Sequence, residues 1–432
     1  MHNYSKTIQQ LYELQRFSIK MGLGNINHLC NYLNNPHQAY PVIHVAGTNG
    51  KGSTSILIQR ILAAHGLKVG LYTSPHLVDF RERIRINDDL IEKVFIRLFW
   101  KHIKSEVSQI SATFFDTTTA MAFSYFQEKK IDIAVIETGL GGRLDSTNIL
   151  NPIIVVMTPI DIDHMQQLGP ELKTIANEKA AIIKKGSILI TGRQDDEVEY
   201  VLEMFRDKTR KNLKLDESIK IINPILDKTN SIFDLQDKYE LITLRNIYLN
   251  LAGRFQIDNA GLAYLASRSC LQQFGINFNE QKLRSAYKSV IWPGRLQKVS
   301  SKPEIYFDVS HNYSGFRNTI DFIRLKFKKK STHLLIGLLK DKEYEKIINL
   351  IYKYFVDIVI TEPDNGRKLP GEIIQNELLK YGINAKIIKE IDKAYDFSLR
   401  NIPMGHTLFV MGSHFLIGKL LEIAKKKHLT SS

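Results

Sequence analysis

The segment His44-Val45-Ala46-Gly47-Thr48-Asn49-Gly50-Lys51-Gly52-Ser53 constrains this chain more than any other. A short β-branched apolar run, Val42 to Val45, precedes it. A helical pattern follows, with apolar residues at Ile56, Leu57, Ile61 and Leu62. Strand, glycine-rich loop and helix make a phosphate cradle. The glycines let backbone N–H groups turn toward an anion, and the helix N-terminus adds its partial positive charge. Lys51 has the position that reaches the outer phosphates of a nucleotide. The expectation is that Gly47, Thr48, Asn49, Gly50, Lys51, Gly52 and Ser53 bind ATP. The loop departs from the G-x-x-x-x-G-K-[ST] pattern in two places. Val45 occupies the first glycine slot, and Gly52 stands where Ser or Thr is usual. The hydroxyl comes one residue later, at Ser53, so another group is expected to hold the magnesium.

Length and composition set the frame. A chain of 432 residues is long enough for two domains. It has no run of about 18 apolar residues, so no membrane span is expected. Met1-His2-Asn3-Tyr4-Ser5-Lys6 leads into a polar helix and lacks an apolar signal core. Cys30 and Cys270 lie far apart and read as buried thiols of a reducing cytoplasm. The net charge of +14 invites a nucleic-acid reading. The lysines are spread along the chain, however, with only short clusters such as Lys326 to Lys330 and Lys425-Lys426-Lys427, and no nucleic-acid-binding motif accompanies them. A protein handling ATP and polyanionic small molecules gains the same steering from such a field. No nucleic-acid or membrane partner is expected.

Strand-like runs at Val42 to Val45, Val69 to Tyr72, Ile131 to Ile136, Ile153 to Thr158 and Ile188 to Thr191 alternate with helical stretches such as Thr117 to Gln127 and Leu172 to Lys184. The fold class is therefore α/β, with a mostly parallel sheet covered on both faces. Ile219 to Leu251 reads differently, as a small antiparallel appendage that includes Ser231 to Leu235 and Glu240 to Leu244. A helix follows from about Ile257 to Phe274. Trp292-Pro293-Gly294 is a breaker cluster and a candidate hinge. Beyond it the α/β rhythm restarts at Ile305 to Val309, Leu334 to Leu338, Ile358 to Thr361, Ala385 to Lys389 and Thr407 to Met411, which predicts a second, smaller doubly wound domain.

Further motifs fall just past the apolar strands, where ligands bind in open α/β sheets. Tyr72-Thr73-Ser74-Pro75-His76 offers the Ser74 hydroxyl as the missing magnesium oxygen. Glu137 ends a strand and leads into Thr138-Gly139-Leu140-Gly141-Gly142-Arg143-Leu144-Asp145-Ser146-Thr147-Asn148, whose polar residues after a Gly-Gly turn can close over a substrate. An acidic residue at such a strand end is a typical metal ligand in ATP enzymes. Asp161-Ile162-Asp163-His164 places a histidine beside acidic residues and marks His164 as a metal ligand. Lys179, read on its own, is a solvated surface lysine; desolvated, it could add CO₂ and offer two carbamate oxygens. Asp308-Val309-Ser310-His311-Asn312, with Arg295 upstream, could hold nucleotide across a domain cleft.

Taken together, these motifs resemble the folylpolyglutamate synthase/dihydrofolate synthase family, within the Mur ligase superfamily. The resemblance rests on GTNGKGS (Gly47 to Ser53), YTSPHLVDFRERI (Tyr72 to Ile84), ETGLGGRLDSTN (Glu137 to Asn148), DIDHMQQLG (Asp161 to Gly169), EKAAIIKKG (Glu178 to Gly186), WPGR (Trp292 to Arg295) and DVSHN (Asp308 to Asn312). It implies a P-loop ATPase-like domain over residues 1–293 and a smaller Rossmann-like domain over 294–432, with the active site between them. It implies ATP contacts from Asn259, Arg295, Asp308 and His311 in addition to the loop. It implies two magnesium sites, held by Ser74, Glu137, His164 and a carbamylated Lys179, with Lys51, Lys179 and His164 in catalysis. The pterin-binding segment maps onto Thr113-Phe114-Phe115-Asp116 and Arg143-Leu144-Asp145.

The chain departs from the family pattern in three places: Asp116 for a common glutamate, Ala181 for a glycine, and Val309-Ser310 for Gly-Ala. The first shortens the expected reach toward a pterin by one methylene. The implied activity is ATP-dependent ligation of L-glutamate to a dihydropteroate or reduced-folate carboxylate through an acyl phosphate, by a cytoplasmic monomer. The alternatives are another Mur-type amide ligase, such as one acting on a peptidoglycan precursor, or a non-catalytic ATP-binding module. About 46 residues precede Gly47, too few for the nucleotide-sugar-binding domain of the peptidoglycan enzymes.

Overall fold

The computed structural model describes residues 3–14 and 22–426, with side chains to Ala424. Met1-His2 and the side chains of Lys425-Lys426-Lys427 lie outside the described residues.

Among the described residues, seventeen strands form three sheets. β1 (Val42–Ala46), β2 (Val69–Tyr72), β3 (Ile84–Ile86), β4 (Asp89–Leu90), β5 (Ile133–Glu137), β6 (Ile154–Met157), β7 (Ile188–Thr191) and β8 (Lys211–Lys214) make the first, in the order β4-β3-β2-β5-β1-β6-β7-β8. All but the β3 and β4 edge pair parallel. Its central strands are buried throughout, which is why they read as unbroken apolar runs rather than alternating ones. β9 (Ile219–Leu226), β10 (Ser231–Asp237) and β11 (Ile242–Leu249) form the antiparallel appendage. β12 (Gln297–Ser301), β13 (Glu304–Asp308), β14 (Thr332–Ile336), β15 (Asp357–Ile360), β16 (Lys386–Ile387) and β17 (Thr407–Met411) form the third sheet. Its order is β12-β13-β17-β14-β15-β16, and it is parallel except for β12.

One face of the first sheet packs against helix Lys51–Ala64. That helix is buried along most of its length beneath helix Arg254–Gln273, so its apolar residues are not confined to one stripe. Helices Lys93–Gln109 and Phe114–Glu128 build a second core that holds Phe99, Trp100, Phe123 and Phe126. Register places Val45 beside Glu137 and Ala46 beside Met157. The carboxyl ends of β1, β5 and β6 therefore emerge side by side, and each is followed by one of the polar motifs.

Several boundaries differ from the sequence reading. β11 starts at Ile242, because Tyr239 and Glu240 donate their N–H groups to the Asp237 carboxylate in a turn and Leu241 has φ +55°. The helix expected over Leu172 to Lys184 ends at Ala180. The run at Ala385 to Lys389 pairs only at Lys386–Ile387. Among the described residues, no helix is long and apolar enough to cross a membrane.

Candidate active site

A cleft of about 520 Å³ opens at the carboxyl ends of β1 and β5, and it is walled on its far side by the loops after β13, β14 and β17. One end is lined by the residues Gly47 to Ser53. Helix Lys51–Ala64 begins there, at the N-cap Gly50. Thr48 is tied to the strand-end motif of β6 in both directions: its Oγ1 donates to Asp161 O at 2.8 Å and accepts from Asp161 N at 2.9 Å. Lys51 Nζ donates to Thr48 O at 3.1 Å. Asn259 lies against Gly50 and donates to Gln256 Oε1 at 3.1 Å.

The departure at Gly52 has a steric reason. A Cβ there would stand 3.1 Å from the Trp292 ring and 3.5 Å from Glu137 Oε2. The tight neighbour is the Trp292 ring, while the carboxylate stands at ordinary contact distance. The displaced hydroxyl, Ser53 Oγ, is buried and makes no hydrogen bond among the described residues.

Glu137 is 4% exposed and accepts from Ser74 N at 3.1 Å. Burial raises its pKa, against the opposing pull of Lys51, the Ser74 amide and Arg295. A desolvated carboxylate beside Ser74 offers hard oxygen donors. It suits magnesium, which takes one or two carboxylates and completes its shell with water and phosphate. Among the described residues no three His, Cys, Asp or Glu side chains form a closed cluster, so a metal here must draw on mixed ligands.

Lys179 corrects its solitary reading. It is 5% exposed rather than solvated, and it lines the cleft. The cause is local: Gly142 has no Cβ, and one would clash with Glu178 O at 2.4 Å, so the loop after β5 lies directly on the helix that carries Lys179. Burial, and secondarily the charge of Lys51, lowers its pKa to about 7. His164 sits at the head of helix Met165–Leu168 with φ +53°, its N–H held by Asp163 Oδ1 at 2.8 Å. Burial lowers its pKa to about 3, so its ring is neutral and can act as a ligand.

Asp163 is the junction between the two walls. Lys342 Nζ lies 2.5 Å from its Oδ1, and Asn312 Nδ2 lies 2.9 Å from its Oδ2. His311 Nε2 stands 3.6 Å from the same carboxylate. Burial works against its charge, but His311, by hydrogen bond and charge, and Lys342 outweigh it and hold Asp163 ionised far below the usual carboxylate range. Asn49 of the loop exchanges two amide hydrogen bonds with Asn312, at 3.1 and 3.2 Å. Arg295, Asp308 and His311 also line the cleft. Asp308 is largely occupied in holding its own turn, accepting from Leu296 N at 2.9 Å and from Ser310 N and Oγ.

The substrate residues divide. Phe115, Leu144 and Asp145 line the cleft, with the Phe115 ring stacked over Gly139. Asp145 Oδ2 receives the Gly139 and Leu140 amides, each at 2.8 Å, and its Oδ1 receives Thr147 N at 3.0 Å. It shapes the loop after β5. Asp116 and Arg143 are absent from the lining. The Asp116 carboxylate caps its own helix through Thr113 N and accepts from Ser146 Oγ at 2.6 Å. Arg143 turns outward onto Glu178 at 2.8 Å. Both departures follow from hydrogen-bond partners that a linear motif does not reveal. Sequence reasoning missed Arg83, Lys342, Arg367 and His414, which also face the cleft. Lys342 and His414 stand just past β14 and β17, so the strand-end rule that marked Glu137 would have found them.

The model of the Mur ligase middle domain matches residues 45–267, and that of the Mur ligase glutamate ligase domain matches residues 294–414. The chain belongs to the Mur ligase family. It is 34% identical over 344 residues to a dihydrofolate synthase/folylpolyglutamate synthase of Bacillus subtilis, covering 77% of this chain and 79% of that protein. It superposes on the Mycobacterium tuberculosis folylpolyglutamate synthase complexed with ADP with a TM-score of 0.89 at 28% identity, covering 98% and 99% of the two chains. It superposes on a folylpolyglutamate synthase–AMPPCP–folate complex with a TM-score of 0.85 at 28% identity, again covering 98% and 99%. As a Mur ligase family member the chain is an ATP-dependent amide ligase.

Proposed function

We propose that this chain joins L-glutamate to the carboxylate of dihydropteroate or of a reduced folate, with ATP as the energy source. The observation that carries the reading is one cleft holding three parts: a lysine-bearing phosphate loop, the buried carboxylate of Glu137, and an end lined by Leu14, Phe114 and Phe115. An aromatic acceptor fits the last, and its carboxylate then faces the first two. The relatives' names give the acceptor class.

The reaction transfers the γ-phosphoryl group of ATP to the acceptor carboxylate, giving an acyl phosphate. The glutamate amine adds to that carbonyl, and phosphate leaves as the amide forms. Lys51 and the loop amides neutralise charge on the transferring group. Ser74, Glu137 and His164 would hold one magnesium ion, and carbamylated Lys179 would support a second. Bound there, the ions spread the charge of the phosphoryl oxygens. Residues 1–293 carry the loop and acceptor wall, and residues 294–432 close the cleft with Lys342, Asn312, His311 and Arg295. Closure keeps water from hydrolysing the acyl phosphate. Asp116 and Arg143 act through the loop they brace, while Phe115, Leu144 and Asp145 meet the pterin. The protein works as a monomer in the cytoplasm.

The test is phosphate release with ATP, magnesium and L-glutamate, comparing 7,8-dihydropteroate with tetrahydrofolate. Turnover with both acceptors is expected. Silence with both, in protein shown to bind ATP, would overturn the acceptor assignment.

A further inference from the structure

Arg83 is 6% exposed yet lines the cleft beside Ser74, Pro75 and Phe114. Its guanidinium lies 5.1 Å from the Phe114 ring centre. Its side chain makes one hydrogen bond to a described residue, from Nε to His76 Nδ1 at 2.8 Å. The acidic groups whose charge it feels are engaged elsewhere. Glu82 accepts the backbone amides of Leu77, Val78 and Asp79. Glu137 accepts Ser74 N, and the Tyr72 hydroxyl bonds Thr118 and Thr119. No described carboxylate forms an ion pair with Arg83. A guanidinium does not shed its proton in proteins, so this is a buried charge without a counter-ion. Leaving such a charge unpaired is costly. Its free Nη pair has the fork geometry that matches a carboxylate.

The local frame fixes the fork. Arg Nε is only a donor, so His76 Nδ1 is the unprotonated nitrogen and the ring proton sits on Nε2. That nitrogen stands 3.0 Å from the Tyr12 hydroxyl. The Tyr12 ring stacks on His76 at 6.0 Å and leans on Phe114 at 5.8 Å. The imidazole is thus a neutral acceptor in one tautomer, clamped from the outside. Arg83 lies at the aromatic end of the cleft, against Phe114, and feels the charge of the Glu137 carboxylate.

We propose that the Nη pair of Arg83 grips the acceptor carboxylate that becomes phosphorylated, and that His76 and Tyr12 position it. This rests on the acceptor reading above. One carboxylate oxygen attacks the γ-phosphorus, and the bond to the β–γ bridging oxygen breaks, releasing ADP. The other oxygen, still held by Arg83, is the carbonyl of the acyl phosphate. When the glutamate amine adds, that oxygen takes the negative charge, and Arg83 is already in contact with it. Collapse of the intermediate expels phosphate, which carries away the proton shed by the amine. Arg83 therefore contributes to kcat as well as to binding.

The first measurement is equilibrium binding of pteroate and of its carboxamide, without ATP. Wild type is expected to favour the acid at least tenfold, and Arg83→Gln to bind the two equally. Turnover of Arg83→Gln is expected to fall at least 100-fold with both dihydropteroate and tetrahydrofolate, with ATP affinity unchanged. In Arg83→Ala, added guanidinium ion restores turnover where ammonium does not. If Arg83→Gln fails to fold, Arg83→Lys keeps the charge without the fork and is expected to lose kcat at least tenfold. His76→Gln, which keeps an acceptor, is expected to retain more kcat than His76→Leu. Arg83→Gln that still prefers the acid, Arg83→Lys with wild-type kcat, or a loss confined to tetrahydrofolate overturns the assignment. The last would place Arg83 on a glutamate α-carboxylate instead. Wild type that binds neither probe overturns the acceptor reading itself, and this one with it.

Discussion

Lys342 and Asp163 form an ion pair across the cleft, 2.5 Å between Nζ and Oδ1, with the two side chains only 4% and 8% exposed. One stands on the loop after β14 and the other on the loop after β6, directly before His164. The pair and the Asn49–Asn312 amide exchange beside it join the two walls. Removing one partner of a buried pair costs about 3–5 kcal/mol, because the other charge is stranded. Lys342→Ala should therefore favour the open arrangement. The expected outcome is a fall in kcat of about 10²–10³-fold or more, since ~1.4 kcal/mol is a factor of ten. Small-angle scattering with an ATP analogue should report a larger radius of gyration than wild type. Activity within twofold of wild type would show that closure does not depend on this pair.

Lys51 has a different kind of role. Among the described residues its ammonium bonds only Thr48 O, and the loop's other ties, including Thr48 to Asp161, do not pass through it. Lys51→Ala should leave the thermal midpoint and circular dichroism spectrum unchanged. Amide synthesis should fall by at least about 10²–10³, the scale for one donor aimed at developing charge. A folded variant with substantial activity would refute the phosphate-loop assignment.

Glu137→Gln keeps the shape of the side chain and the contact with Ser74 N, but removes the charge. Turnover should lose its response to magnesium across the range that saturates wild type. Because burial already raises the Glu137 pKa, the variant should be at least as stable as wild type in urea. A wild-type magnesium titration curve in Glu137→Gln would exclude this carboxylate as a ligand.

The parts of the site that were legible in the sequence share a physical cause. Residues 47–53, Ser74, Glu137 and His164 follow buried parallel strands, and such strands announce themselves as apolar runs. Their ends mark where a ligand sits. The edge strands gave no such signal. β8 (Lys-Asn-Leu-Lys) and the β3–β4 pair are short and partly polar, as exposed sheet edges tend to be. Lys179 was marked by the family resemblance alone, and its own surroundings in the sequence read as solvated surface. Its burial comes from Gly142, 37 positions earlier in the chain, which lets a loop rest on its helix. Asp116 shows the converse: the motif marked the residue, but its carboxylate serves Thr113 and Ser146.

That geometry makes Asp116→Ala a stability variant. It removes a helix cap and strands the Ser146 hydroxyl, which together should cost about 1–3 kcal/mol in urea unfolding. The KM for the pterin acceptor should change less than twofold, and Asp116→Glu should not alter acceptor preference. A tenfold rise in KM without loss of stability would place the carboxylate on the substrate.

Lys179 joins pH, CO₂ and activity. Its folded pKa is lowered from 10.5 to about 7, first by burial and then by Lys51. Between those values the unfolded chain binds a proton that the folded chain does not, so stability from this group rises with pH across that window. Below pH 7 the folded state bears the full cost of a buried ammonium. In CO₂-free buffer Lys179→Met should therefore be more stable than wild type at pH 7, and the gap should close as pH approaches 10. The same shift leaves more than half of the amine unprotonated above pH 7, which is the form that adds CO₂. Turnover of wild type in CO₂-free buffer at pH 8 should rise on adding bicarbonate, while Lys179→Arg stays inactive. A carbamate signal in ¹³C NMR, present in wild type and absent in Lys179→Met, would identify the adduct. Turnover indifferent to bicarbonate with no such signal would leave Lys179 as an amine.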